Sequence, residues 1–242
     1  WDTGVGRAFT IPEALDYLAE DLGVEVLPPE YLPFEFSTAT PQLLRLKKEG
    51  ANLICLAYTI GPLSIVLKDA YRLGMKPPNT HFFAGSDIGV QTIVAAAGEA
   101  SEGLFGAYRQ YVWPQEDDDA HPVVKMICDA GEKFRGTRRP ILDISMCVFP
   151  ALVERHAIEM AIERHGYPIS AEDMHEALKN MGPWDIGLAP RFKGYAGHND
   201  RCGMHETRIC QIQNGKLVIL SDWMSAPEEF LNRAPWILGE GE

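Results

Sequence analysis

Two groups of side chains have types and spacings that can do chemistry. The first is His198, Cys202, His205 and Cys210, four zinc-capable donors within 13 residues. Their spacings of 4, 3 and 5 residues match no compact finger. Cys210 also falls in a segment that reads as a strand. Ordinary loop and core roles are therefore preferred over a metal site, and a Cys202–Cys210 disulfide is the remaining reading. The second group is the loop Gly85-Ser86-Asp87-Ile88-Gly89. It follows a short apolar stretch, His81–Ala84, so a carboxylate there can point into a crevice. Asp87 can accept a charge-assisted hydrogen bond from a ligand ammonium, or it can cap the next helix. The residues alone leave both readings open. Tyr108, Tyr111 and Trp113 can line a cleft or fill a core. His156, spaced with Leu152 and Met160, reads as a packed histidine.

The frames of common enzymes are missing. There is no GxSxG and no HExxH, and Gly4-Val5-Gly6 is a GxG without its third glycine or a preceding strand. No cofactor and no catalytic residue is expected.

Elements that position such loops can be read from periodicity. Thr10 and Glu13 form a capping-box pattern, and Leu15, Leu18 and Leu22 give helical spacing up to a stop at Gly23. Val24–Leu27 is short, alternating and β-prone, and reads as a strand. The stretch 38–50 reads as a helix with Leu43, Leu44 and Leu46 on its apolar face. Asn52–Ala57 is almost wholly apolar and reads as a strand buried on both faces, with Cys55 as a small buried hydrophobe. A helix over 63–73, a strand over 81–84, a helix near 93–97 and a strand over 103–108 follow. This alternation predicts an α/β layered domain with a mostly parallel sheet. Ligands sit outside the carboxyl ends of such strands. The candidate loops are therefore 58–61, 85–87 and the stretch after Tyr108.

Beyond residue 110 the pattern turns helical. A helix is expected with Val123, Met126 and Ile127 on its apolar face, then one over 147–165 and one over 170–181 opened by Ser170 and Asp173. Residues 207–213 and 216–220 around Asn214-Gly215 read as a hairpin with a type I′ turn.

The 242 residues carry 22 basic and 34 acidic side chains, for a net charge of −12. Hydrophobic residues make up 46% and charged residues 23%, the composition of a folded globular chain. The acidic balance argues against nucleic acid as a partner. No apolar run reaches the ~20 residues of a membrane span. The five cysteines are too few and too odd for a disulfide scaffold.

Several motifs in order resemble a known family. They are Asp2-Thr-Gly-Val-Gly-Arg-Ala-Phe9, Leu43-Leu-Arg-Leu-Lys-Lys-Glu-Gly-Ala-Asn-Leu-Ile54, Leu67-Lys-Asp-Ala-Tyr-Arg-Leu-Gly-Met75, Ala100-Ser-Glu-Gly-Leu-Phe105, and Ile209-Cys-Gln-Ile-Gln-Asn-Gly-Lys216 with a later Asp222-Trp223. Together they resemble the branched-chain amino-acid type of periplasmic solute-binding protein of ABC transporters. The resemblance implies a type I periplasmic-binding-protein fold, α/β, with two lobes of mostly parallel sheet and flanking helices. It implies that the first-lobe core precedes Trp1. Residues 1–108 would be the second lobe, 109–195 the returning helices of the first, 196–224 a crossing back with the hairpin, and 225–242 a tail. It implies a non-enzymatic role with an ABC permease as partner, at work in the periplasm or tethered outside a membrane. It implies a small-molecule solute, an amino acid, amide or aromatic acid, trapped between lobes. A ligand-sensing domain of the same fold is the rival.

By this resemblance Asp87 matches the acidic residue that holds the ligand's α-ammonium. Thr59, or its neighbour Tyr58, matches an aromatic contact position, and Val5 matches a position that is often Tyr. Ser86 and Tyr108 complete the expected binding set. Here Val5 is not aromatic and Thr59 is small, so the stacking wall of leucine-type sites is reduced.

Overall fold

The computed structural model describes residues 12–33, 35–57, 59–84, 90–109, 118–138, 142–186 and 206–227. The chain divides into two compact units. One holds the described residues up to Tyr108 together with Arg208–Asp222, and the other holds Arg109–Thr207 and the chain from Trp223.

The first unit opens with α1, Pro12–Glu20. Gly23, with φ of 63°, follows it. The left-handed conformation suits glycine there and turns the chain out of the helix. Thr10, of the expected capping box, lies outside the described residues. Val24–Leu27 forms no strand. A β-prone segment needs a neighbour to bond, and among the described residues none lies beside it.

Helix α2, Thr40–Lys48, buries Leu43. Leu44 is exposed, because adjacent helical positions point about 100° apart and only one faces the core. Strand β1, Leu53–Leu56, alternates exposed and buried residues. Helix α3, Ile60–Arg72, buries Leu63, Val66, Leu67 and Ala70 on one stripe. Strand β2 is His81–Ala84, helix α4 is Val90–Ala97, and strand β3 is Phe105–Tyr108. The strands β1, β2 and β3 are parallel neighbours. Strand β4, Glu206–Gln213, joins β3 antiparallel, and β5, Lys216–Ile219, follows it. Strand β6, Met224–Ser225, pairs with the start of β4.

The register puts Ile54, Leu56, Phe82, Ala84, Tyr108, Cys210 and Ile212 on one face, and all are buried. The crossovers through α3 and α4 step the same way across the sheet, so a common right hand sets both helices against this face. The opposite face is half open. Leu53 is 56% exposed, Cys55 is exposed, and Phe83, Phe105 and Ala107 are only partly covered. The expectation that β1 is buried on both sides, with Cys55 inside, is therefore corrected. Among the described residues β1 ends the sheet, and its outer residues meet no helix.

The hairpin turn is the one its sequence asks for. Asn214 and Gly215 have φ of 54° and 69°, both left-handed, as a type I′ turn requires. The Glu102 carboxylate accepts from the backbone N–H of both, at 2.9 and 2.6 Å.

The described residues of the second unit hold three α-helices besides the pairing of Glu206–Thr207 with Met224–Ser225. Helix α5 is Pro122–Arg135, α6 is Leu142–His165 and α7 is Ala171–Asn180. Helix α5 buries Val124, Ile127 and Cys128, while Met126, expected on that face, is 49% exposed. Helix α6 packs against α7 through Val153, Ala157, Ala161, Ala177 and Met181. His156 lies at the edge of that seam, its ring 4.5 Å from the Trp184 ring centroid, a packed histidine as read. Ser170 and Asp173 make a reciprocal capping box, with Asp173 N–H donating to Ser170 Oγ and Ser170 N–H to Asp173 Oδ2.

Candidate ligand-binding end of the sheet

The three parallel strands run towards one end of the sheet, where β3 extends two residues past the other two. Leu56 lies beside Ala84, and Ala84 beside Gly106. The chain segments that leave β1, β2 and β3 therefore emerge at one end of the sheet. This end carries the open loops in an α/β sheet, because each strand there hands over to a helix.

Thr59 is three residues past β1 and is exposed. It is the N-cap of α3, with extended backbone (φ −77°, ψ 168°), and its carbonyl accepts from Leu63 N–H at 3.0 Å. Its hydroxyl makes no capping bond. The sequence removes one of its two usual donors. A threonine cap normally accepts from the backbone N–H two or three residues on; Pro62, the third, has none, which leaves Gly61 as the one such donor. An exposed threonine with no capping bond thus stands at the first N–H groups of a 13-residue helix. That pair of features offers hydrogen bonds and a partial positive charge to an anionic or polar group.

Tyr108, at the end of β3, is fully buried. Its ring belongs to the core face with Leu56 and Ala84, so the structure makes it packing where the sequence reading put it in the binding set. Asp87, Ser86, Tyr58 and Val5 lie outside the described residues. So do His198, Cys202 and His205 of the zinc-capable set. Cys210, its fourth member, is buried in β4 with no exposure. Among the described residues no three His, Cys, Asp or Glu side chains cluster as a metal site would need.

A charged residue that the sequence reading passed over sits in the last turn of α3, away from Thr59. Asp69 on α3 is 3% exposed. Its carboxylate accepts from Thr38 Oγ1 at 2.6 Å, Ala39 N–H at 2.8 Å, Thr40 Oγ1 at 3.2 Å and Arg72 Nη1 at 3.0 Å. Burial pushes its pKa up, but the three bonds from residues 38–40 and the Arg72 charge outweigh burial and hold it below the ordinary value. Ala39, the N-cap of α2, has no side chain to cap with, and Asp69 supplies that cap from α3. The signal was legible as an acid inside an apolar stripe opposite Thr38-Ala-Thr40.

No curated protein sequence matches the chain significantly. Solved structures do. A branched-chain amino acid ABC transporter protein from Thermus thermophilus, with bound valine, is 22% identical with a TM-score of 0.78, over 96% of this chain and 60% of that one. An ABC transporter substrate-binding protein from Aeropyrum pernix is 18% identical with a TM-score of 0.71, over 95% and 59%. An extracellular ligand-binding receptor from Rhodopseudomonas palustris is 16% identical with a TM-score of 0.73, over 91% and 62%. This chain thus spans about three-fifths of the length of those structures. The fold is the periplasmic binding protein type I fold, with its parallel sheet and flanking helices, as the motif order implied. The family model described as periplasmic binding protein matches residues 10–216, and the chain belongs to that family.

Proposed function

We propose that this chain forms part of an extracytoplasmic solute-binding protein that serves an ABC importer. Its solute is a small amino acid or a related polar molecule, an amide or aromatic acid, held in a cleft at the carboxyl ends of β1, β2 and β3. The observation that carries this reading is exposed Thr59, without a side-chain capping bond at the start of α3, on the end of the sheet towards which three parallel strands run. The loop of Asp87 leaves β2 at the same end. A carboxylate there complements an α-ammonium, while the Thr59 end of α3 complements an α-carboxylate. Such a protein does no chemistry on its solute. It works by lobe closure, with the ligand favouring the closed state through contacts made only there. Among the described residues no helix is long and apolar enough to cross a membrane, so a permease partner supplies the path. The bound valine of the Thermus thermophilus structure favours the amino-acid class.

Calorimetry on the polypeptide its gene encodes, with a panel of amino acids, amides and aromatic acids, tests this. One of them binds, and Asp87→Asn weakens an amino-acid ligand by about 1.5–3 kcal/mol, the scale of a charged hydrogen bond. Unchanged affinity removes Asp87 from the site. A ligand-sensing domain of the same fold is the second reading, favoured by the solved extracellular ligand-binding receptor. Genes for a permease beside this one select the importer.

A further inference from the structure

Beside β4 the facing chain keeps two registers. Cys210 faces Ile219 in β5, and Thr207 faces Met224 in β6. Between these pairs β4 has two residues, Arg208 and Ile209, while the facing chain has four, Leu220, Ser221, Asp222 and Trp223. Residues 220–223 are therefore a bulge with two residues to spare. One side chain holds it. Leu220 N–H donates to the Ile209 carbonyl at 2.9 Å. In a regular antiparallel pair the return bond runs from Ile209 N–H to the Leu220 carbonyl. Here Ile209 N–H donates to Ser221 Oγ instead, at 2.9 Å, and the same hydroxyl donates to the Asp222 carbonyl at 2.9 Å. A serine hydroxyl both donates and accepts, so it takes the place of the Leu220 carbonyl and ties in the next residue as well. The division of the chain into its two units falls in this stretch. It lies between Thr207 and Arg208 on one strand and between Asp222 and Trp223 on the other.

We propose that Ser221 fastens a bending joint: its hydroxyl keeps β4 bonded to the facing chain while the two spare residues let the ribbon flex where the units divide. A ribbon in one unbroken register would resist bending there, because each backbone pair fixes the next. A bulge without the hydroxyl would leave the part-buried Ile209 N–H without its acceptor and let the Thr207–Met224 pair work loose. The hydroxyl meets both needs. It sits on one rotatable side-chain bond, so it can follow a change in the backbone angle and still accept from Ile209. This role presupposes the lobe closure proposed above and adds the side chain that sets how freely the chain bends. A looser joint has more conformations to lose when a solute closes the protein, so the fastener also favours binding.

Two variants of the polypeptide the gene encodes test this, Ser221→Ala and Ser221→Thr, the second retaining a hydroxyl. Hydrogen exchange is read first, without solute. In Ser221→Ala the amides of Ile209 and of the Thr207–Met224 pair should exchange at least about 10-fold faster. Ile212 N–H, which donates to the Leu104 carbonyl at 3.0 Å, should keep its wild-type rate. Ser221→Thr should bring every rate back to within about 3-fold of wild type. Unchanged exchange at Ile209 in Ser221→Ala overturns the proposal. So does faster exchange at Ile209 alone, because the hydroxyl then fastens nothing beyond its own bond. A matching rise at Ile212 overturns it too, since the whole sheet has then loosened. Calorimetry with the solute that wild type binds is the second readout. Ser221→Ala should bind about 3–10-fold more weakly, and Ser221→Thr should bind as wild type does. Equal affinity in Ser221→Ala overturns the part in closure. A wild type that binds no solute sinks the binding reading instead, and the exchange rates still decide whether Ser221 fastens the joint.

Discussion

Single residues show where composition and spacing mislead. The sequence reading passed over Asp69, yet it closes the start of a helix thirty residues earlier in the chain. Asp69→Ala removes the cap of α2 and strands the N–H of Ala39 in a buried place. The expected cost is about 2–4 kcal/mol, a lost cap plus an unsatisfied donor, read from urea midpoints. The pH dependence follows from the direction of its pKa. A carboxyl held below its unfolded value stabilises fully above that unfolded value, about 3.9. The contribution is lost as pH falls through the lower folded value. The stability gap between the wild type and Asp69→Asn should therefore be constant near neutrality and narrow below about pH 4. A gap that instead opens in acid contradicts the assignment. Thr59 is the opposite case. Motif order singles it out as a candidate contact, and its exposed place at the N-cap of α3 without a side-chain capping bond is a local feature that motif order does not contain.

At the scale of elements, legibility followed the strength of the local rule. Asn214-Gly215 and Ser170 with Asp173 each encode a turn or cap in a few residues, and both formed as read. Leu44 and Met126 were misplaced because counting apolar residues does not fix which direction a helix faces. Val24–Leu27 and Cys55 were misread for a different reason. A strand is defined by its neighbours, and the sequence of the strand alone does not say whether they are there. Two element-level substitutions test the packing. In α5, Gly131→Ala would ordinarily gain about 1 kcal/mol of helix propensity. Here a Cβ would sit 2.7 Å from the Thr137 carbonyl oxygen, and backbone gives way poorly, so the change should destabilise by about 1–2 kcal/mol. A raised thermal midpoint contradicts that close approach. At the hairpin, Glu102→Ala releases two backbone N–H groups to water. Because the site is exposed the expected loss is about 1 kcal/mol, with the turn amides exchanging faster while β3 stays protected.

For the whole molecule, the order of motifs was more informative than any one of them. It gave the fold class that the family model and the solved structures bear out, although relatives at 16–22% identity retain little sequence to compare. The proposed ligand site was less legible, because binding residues in such folds are carried by loops whose chemistry varies while the sheet beneath stays the same. The length relation carries the last prediction. This chain spans about three-fifths of the solved relatives, and the proposed cleft needs a second wall to enclose the solute. Buried ligands gain affinity by losing most of their surface to the protein, whereas a ligand on one wall keeps its outer side in water. Chain 1–242 should therefore bind the solute found for the gene-encoded polypeptide at least about 100-fold more weakly, roughly 2.7 kcal/mol. Asp87→Asn should still weaken what binding remains, since that carboxylate would stand on the wall this chain carries. Titration of both proteins with the same solute decides it. Equal affinity would mean that residues 1–242 hold the complete site, and lobe closure would then lose its part in binding.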